Sequence, residues 1–110
     1  MSRFAPPPPW PNCVSSRVPP SDWMHHIAPL SGVDLARVRS IVEAMPRTEV
    51  VEESDGYMKV VFTTAVLRFK DDVEFEQEGG GVHVRSASRV GRSDFGANRR
   101  RVEAIRAALG

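Results

Sequence analysis

The stretch of sequence that decides the fold is TEVVEESDGYMKVVFTT, which covers residues 48–64. Two runs rich in β-branched and aromatic residues flank Asp55-Gly56, the dipeptide that most strongly favours a two-residue hairpin turn. A turn at this dipeptide places Glu52 opposite Lys59, which joins opposite charges across the two strands. The segment therefore predicts an antiparallel hairpin with a defined register.

A second hairpin is predicted towards the carboxyl end of the chain. Apolar and polar residues alternate over 72–78 and again over 82–90, and a run of three glycines supplies the turn between them. One register that this alternation permits sets Glu76 opposite His83. Over 65–71, apolar residues alternate with basic ones, which predicts that the preceding strand continues there through a bulge.

Two amphipathic helices flank these strands. Apolar residues recur at helical spacing over 33–45 and again over about 94–109. Ser31 is expected to cap the first helix, and Ser93 or Asp94 the last. The predicted class is therefore α+β, with an antiparallel sheet of four or five strands whose apolar face is covered by the two helices.

The composition of the chain changes near its thirtieth residue. Eight of the nine prolines and both tryptophans lie in residues 1–30. Proline removes amide donors and restricts the backbone, which excludes a helix or a central strand there. We expect residues 1–9 to be mobile. Residues 10–30 are expected to lie extended on a single domain that spans 10–110, with Trp23 packed against it.

Length, composition and charge limit the possible functions. The chain has 110 residues, of which 41% are hydrophobic and 26% charged, values typical of one soluble globular domain. A net charge of +1 excludes global electrostatics as a source of affinity for nucleic acids or membranes. The sequence does not favour nucleic acid as a partner. No apolar run approaches the ~20 residues that span a bilayer, and no secretory signal is present, so a cytoplasmic location is expected.

Metals and cofactors are not indicated by the sequence. The single cysteine excludes an internal disulfide framework and any zinc site built from several cysteines. A run of three glycines lies between predicted strands and lacks the lysine and helix of a phosphate-binding loop. We therefore expect no cofactor and no metal.

Polar residues suited to binding are concentrated in two separate segments. One is the N-terminal segment, with Cys13, Ser15 and His25, and the other is the stretch around the start of the last helix. We expect the two segments to meet in a site that binds a small molecule or a protein partner without catalysis. The candidate ligand-binding residues are Ser15, Ser88, Arg89, Ser93, Asp94 and Asn98.

Three further interpretations stay open at this point. Cys13 could be a nucleophile with His25 as its base, although a small buried residue is the simpler explanation of one cysteine. The prolines at 6–9 could be a polyproline ligand for an aromatic groove of another protein. Asn98 could be a buried hydrogen-bonding residue, and Arg99–Arg101 the solvated face of a helix.

Five motifs occur in order along the chain: Pro11–Ser16, His25–Leu30, Pro46–Glu52, Asp71–Phe75 and Val84–Glu103. In this order and spacing they resemble the domain of unknown function 1499 family over essentially the whole chain. The resemblance implies a type of domain and no particular reaction. Many relatives carry a membrane segment or leader before the Pro-Asn-Cys motif, whereas this sequence has a proline-rich lead in that place.

Overall fold

The structure, a computed structural model, describes residues 2–110, and Met1 lies outside the described residues. Strands and helices follow one another in an order that confirms the α+β class. The elements are β1 (Cys13–Ser15), β2 (Leu30–Ser31), α1 (Leu35–Glu43), β3 (Thr48–Ser54), β4 (Tyr57–Thr63), β5 (Lys70–Glu78), β6 (Gly81–Ser88) and α2 (Ala97–Leu109).

All six strands belong to one antiparallel sheet with the order β1-β6-β5-β4-β3, and β2 also pairs with β6. The predicted four or five strands were too few because the proline-rich segment supplies two short strands. Cys13–Ser15 pair with Arg85–Ala87, and Leu30 pairs with Val82. The N-terminal segment therefore covers the edge of β6 that would otherwise be open.

Both hairpins have the predicted registers. Glu52 lies opposite Lys59 in the first hairpin, and Glu76 lies opposite His83 in the second. An irregularity between Val50 and Glu52 shifts the register of β3, so the bulge of this sheet lies in β3. The hairpin signal and the alternation of apolar residues were sufficient to predict these pairings.

The prediction that a strand continues through residues 65–71 is wrong. β4 ends at Thr63, and β5 begins at Lys70. Between them, the Thr64 amide donates to the Phe69 carbonyl at 2.8 Å, and the Phe69 amide donates to Thr64 Oγ1 at 2.8 Å. These two hydrogen bonds close a loop that lies outside the sheet, because its apolar residues have no neighbouring strand to pack on.

The two helices pack on one face of the sheet and enclose the core. Val38 and Val42 of α1 and Val102 and Ile105 of α2 are completely buried. Burial of one such side chain contributes about 1.5–3 kcal/mol, so this layer is the main source of stability. The sheet side of the core contains Met58, Val60, Phe62, Val73, Phe75, Val82 and Val84.

The first helix is shorter than predicted and has a different cap. α1 covers Leu35–Glu43, and the side chain of Asp34 accepts a hydrogen bond from the Arg37 amide at 2.9 Å. Ser31 does not cap it, because Ser31 belongs to β2 and pairs there with Gly81. Asp34 satisfies an amide that the first turn of a helix leaves free.

Residues 2–6 lie across the face of the sheet that the helices leave uncovered. The Arg3 amide and the Ser2 hydroxyl donate to the Glu76 carboxylate at 2.6 and 2.8 Å. The Arg3 guanidinium also lies 3.7 Å from the centroid of the Tyr57 ring. We call residues 2–6 the N-terminal strap.

The proline-rich segment packs on the domain, but the side chains that anchor it are not the predicted Trp23. Ile27 and Leu30 are buried in the core. Trp23, which was predicted to pack on the domain, is 78% exposed. It follows a turn in which the Asp22 amide bonds to the Pro19 carbonyl, and this turn carries the indole away from the core. The mobility of residues 1–9 stays a prediction.

The strap contact is expected to weaken in acid. Burial acts to raise the pKa of Glu76, but donors on Arg3, Ser2 and Arg17 outweigh it and lower the pKa overall. Folding is therefore stabilised above the ordinary glutamate pKa of about 4.3, and this stabilisation is lost as the pH falls below it. Urea unfolding between about pH 7 and pH 3 should show a loss about 1 kcal/mol larger in the native chain than in Glu76→Gln.

The matched control for this measurement is Glu103→Gln, on the exposed surface of α2. This control should keep the full acid sensitivity of the native chain. An identical pH dependence in the native chain and in Glu76→Gln would contradict the assignment.

Candidate functional site

The N-terminal segment and the loop before α2 are in direct contact. The Asn12 carbonyl accepts a hydrogen bond from the Ser88 amide at 3.0 Å. The Pro11 carbonyl accepts one from the Asp94 amide at 3.1 Å. The two segments in which polar residues are concentrated therefore meet at one junction.

One buried side chain, that of Asn98, connects the parts of this junction. Its Nδ2 lies within hydrogen-bond distance of the Asn12 carbonyl at 3.2 Å and of Ser88 Oγ at 2.9 Å. The same nitrogen donates to Asp94 Oδ2 at 2.6 Å, and its Oδ1 accepts from Ser86 Oγ at 2.7 Å. The serine hydroxyls that face the core thus obtain the partners that buried polar groups require.

A buried ion pair lies next to Asn98. Arg101 Nη2 and Asp71 Oδ2 are 2.6 Å apart, and their side chains are only 11% and 4% exposed. Arg101 Nη1 donates to Asn98 Oδ1 at 2.8 Å, and the guanidinium lies 5.0 Å from the centroid of the Phe62 ring. The interpretation of Arg99–Arg101 as a solvated face is therefore wrong for Arg101, which joins α2 to β5.

The last helix begins three residues later than predicted. Ala97 is its first residue, and the turn before it contains Gly96 at a φ of 83°. Asp94 still satisfies the free amides, because its carboxylate accepts from the amides of Gly96 at 2.8 Å and Asn98 at 3.2 Å. Ser93 has a smaller role, since its hydroxyl accepts from the Phe95 amide at 3.3 Å.

An open groove of about 250 Å³ lies between the N-terminal segment and the start of α2. Its charged groups are the Asp94 carboxylate and the Arg99 guanidinium, and its most exposed wall is the Trp23 indole. Arg99 is held by the carbonyls of His26 at 2.8 Å and Met24 at 3.3 Å. The lining residues are Pro11, Cys13, Val14, Trp23, Met24, Asp94, Gly96 and Arg99.

The Asp94 carboxylate has capacity for one further hydrogen bond. An ionised carboxylate offers about four lone-pair positions. Three are occupied by the Gly96 amide and by two donors of Asn98. The groove can therefore accept a hydrogen bond from a ligand, whereas an anion placed there would face a negative charge.

Cys13 lines the groove, but its thiol is not activated. The residue is 2% exposed, and burial raises the pKa of the thiol to about 11. Because the thiolate is the reactive form, a protonated thiol at neutral pH is a poor nucleophile. The geometry does not favour the thiol-dependent enzyme.

His25 is occupied at both ring nitrogens. Nε2 lies 2.9 Å from the Trp10 carbonyl oxygen, which can only accept, and Nδ1 lies 2.9 Å from the Asp22 carboxylate. Both ring nitrogens are therefore engaged by groups of the N-terminal segment, and the Cys13 thiol contacts the Val14 carbonyl at 3.8 Å instead. In this arrangement His25 positions the N-terminal segment.

The other predicted ligand-binding residues lie outside the groove. Ser15 is buried, and its hydroxyl accepts from the Arg17 amide at 3.2 Å. Arg89 pairs with Asp72 at 2.8 Å, and hydrogen bonding to Arg89 lowers the pKa of that carboxyl. Ser88 and Asn98 are used in the buried network. Of the predicted ligand-binding set, Asp94 is the residue that the structure places in the groove wall.

The sequence reasoning missed six of the eight groove residues: Pro11, Val14, Gly96, and a cluster formed by Trp23, Met24 and Arg99. Their proximity depends on a turn of the N-terminal segment, in which the Asp22 carbonyl accepts hydrogen bonds from the amides of residues 25 and 26. No local pattern marks such a turn as the neighbour of a helix more than seventy residues away. The available signal was a tryptophan and a methionine in a segment otherwise rich in proline.

Comparison with known protein families identifies the family of this chain. The profile of a protein family described as a protein of unknown function, DUF1499, matches residues 3–109. The chain belongs to the DUF1499 family. The resemblance seen in the sequence motifs is thus confirmed, and the junction and groove lie inside the DUF1499 domain. Comparison with curated proteins and with solved structures gave no significant match.

The described part of the DUF1499 domain has neither a metal-binding cluster nor a membrane-spanning helix. Over residues 2–110, no three side chains of histidine, cysteine, aspartate or glutamate come together in a way that could hold a metal ion. None of the helices in the same range has the length and apolar character needed to cross a membrane.

Alkylation of Cys13 tests its burial in the native DUF1499 domain. With a pKa of about 11, about one thiol in ten thousand is ionised at neutral pH. Iodoacetamide should therefore label the native domain at least about tenfold more slowly than the urea-unfolded chain. Cys13→Ser is the blank for labelling. Equal native and unfolded rates would show that the thiol is accessible and reactive.

Removal of the Asn98 side chain tests the buried network. Asn98→Ala removes the donor to Ser88 Oγ and one contact each from the Asn12 carbonyl and the Ser86 hydroxyl, so we expect a loss of about 2–4 kcal/mol in the free energy of unfolding. Ser93→Ala, an exposed serine of the same loop, should cost less than about 0.5 kcal/mol. Chemical denaturation measures both, and similar losses would refute the role given to Asn98.

Proposed function

We propose that this DUF1499 domain binds a small ligand in the groove between the N-terminal segment and α2, and that it does so without catalysis. The observation that carries the proposal is the groove itself, since two segments distant in sequence build its walls. The buried contacts of Asn98 hold those walls in place. Ligand sites are commonly preformed clefts of this kind, with apolar walls and few polar groups.

The lining favours a ligand with an apolar body and a hydrogen-bond donor such as an amine. Pro11, Val14 and Met24 offer apolar surface, and the exposed indole of Trp23 offers an aromatic face. An aromatic face beside a carboxylate suits a positively charged group. Asp94 has a free acceptor position, while Arg99 is held by two backbone carbonyls.

Asn12 lies next to the groove residue Cys13 in sequence but is not part of the groove lining. Asn12 precedes Cys13 in the chain, is 7% exposed and donates from Nδ2 to the Gly91 carbonyl at 2.8 Å. Its Oδ1 is buried and has no hydrogen-bond partner among residues 2–110. Buried acceptors without a partner are rare in folded proteins.

The two other functions considered have less support. A thiol-dependent enzyme needs an ionised Cys13 and a basic His25, and the groups around both residues oppose this. A protein-interaction role for the proline run stays a prediction. So does the cytoplasmic location.

Nuclear magnetic resonance titration with a matched pair of probes tests the proposal. Benzylamine and benzoate have the same ring and differ in the charge of the attached group. Benzylamine should shift the amide signals of groove residues, and benzoate should shift them at least about tenfold less at equal concentration. The proposal would be overturned if benzoate bound as tightly as benzylamine. It would also be overturned if either probe shifted only amide signals outside the groove.

Two variants assign the binding to the groove. Trp23→Ala removes the aromatic wall, and because that side chain is exposed, the fold should not change. Benzylamine affinity should fall at least about fivefold in Trp23→Ala. Val51→Ser removes an exposed apolar side chain from β3 and should leave the affinity unchanged. Equal affinity in both variants would place the ligand outside the groove.

A further inference from the structure

The exposed apolar side chains of this domain are gathered at one end of the sheet. Among residues 2–110, eight large apolar side chains are exposed. Thr63 pairs with Lys70, and Asp71 pairs with Ser88, so the loop after β4 and the segment after β6 leave the sheet at the same end. We call this the apolar end; its exposed members are Trp10, Val66, Leu67, Phe69, Val90 and Phe95.

Hydrogen bonds join the parts of the apolar end. The Arg89 amide donates to the Lys70 carbonyl at 3.3 Å, which ties the segment after β6 to the β4–β5 loop. Within that loop, the two bonds between Thr64 and Phe69 leave Val66 88% exposed and Leu67 68% exposed. Exposed apolar side chains gathered at one end of a small domain point to an interaction surface.

The backbone is strained at the same end. Three non-glycine residues have left-handed conformations: Arg47 at a φ of 58°, Arg68 at 58° and Phe95 at 52°. Arg47 belongs to this end because its carbonyl accepts from the Thr63 amide at 2.9 Å. Strained residues that a structure holds in place are concentrated at functional sites.

The charges around the apolar end are mainly positive. Its acids Asp71 and Asp72 are paired with arginines at 2.6 and 2.8 Å, and Asp94 caps α2. Glu49 is the exposed acid of this end among the described residues. Besides Arg89, which pairs with Asp72, the exposed cationic residues are Arg47, Arg68, Lys70, Arg92 and Arg100.

We propose that the apolar end docks on the surface of an anionic lipid bilayer. Val66, Leu67 and Phe69 would enter the boundary between headgroups and acyl chains, while Arg68 and Lys70 contact lipid phosphates. Apolar side chains bordered by cations are the combination that binds such surfaces. Aliphatic tips on a projecting loop suit lipid better than nucleic acid, which requires aromatic faces for stacking.

This docking is reversible and local. The net charge of +1 leaves no long-range attraction, so the contact depends on the few cations of this end. The proposal does not depend on the ligand groove, because Val66, Leu67 and Phe69 are not among the groove residues.

Flotation of the whole chain with vesicles tests the proposal. The native chain should float with vesicles that contain phosphatidylserine in phosphatidylcholine, and not with phosphatidylcholine alone, and added salt should release it. Leu67→Asp should abolish flotation. Arg68→Glu should reduce the partition coefficient by at least about fivefold, the effect of one cation near an anionic surface.

Matched substitutions elsewhere serve as controls. Val51→Asp changes an exposed apolar residue of β3, and Arg37→Glu changes an exposed arginine of α1, at the opposite end of the sheet. Both should float as the native chain does. No flotation of the native chain, or equal losses in the controls, overturns the proposal. If the native chain does not bind vesicles but forms a dimer, and Leu67→Asp is a monomer, the partner of the apolar end is a second copy of the chain. That result would also overturn the proposal.

Discussion

The arrangement of this domain depends on the side-chain amide of one buried residue, Asn98. It connects the N-terminal segment at Asn12 with two parts of the chain near Asn98 itself, the end of β6 at Ser88 and the turn before α2 at Asp94. Its Nδ2 carries two hydrogens that are shared among these three acceptors, and its Oδ1 accepts from Ser86 and Arg101. An apolar residue of similar size would remove all of these contacts from a largely buried junction.

The N-terminal segment follows from this constraint. A short strand added to the edge of β6 has few hydrogen bonds of its own, so its position depends on side-chain contacts at both ends. Asn98 contacts the segment at Asn12, just before β1. The His25 ring contacts it at the Trp10 carbonyl and at Asp22, on the two sides of β1. The strap then continues to the opposite face of the sheet, where Glu76 receives it. One segment thus contacts both faces and one edge of the sheet.

Local patterns were reliable where neighbours in sequence are also neighbours in space. The two hairpins and their registers were predicted correctly because the turn residues and the alternation of apolar and polar side chains specify them. Reasoning from local patterns failed for Ser31, Trp23 and Arg101. A distant element decides two of these cases, because β6 pairs with Ser31 and Asp71 of β5 takes Arg101 out of solvent. Trp23 is exposed after a turn between Pro19 and Asp22.

The sequence by itself determined the α+β class, the hairpin pairings and the covering helices. Periodicity and turn chemistry act over a few residues, so they can be recognised without knowledge of the rest of the fold. The tertiary structure alone decided that Cys13 is buried and that Trp23 and Asp94 share a groove. These facts depend on contacts between residues about seventy positions apart, and no short-range pattern encodes the direction from which a distant chain segment approaches.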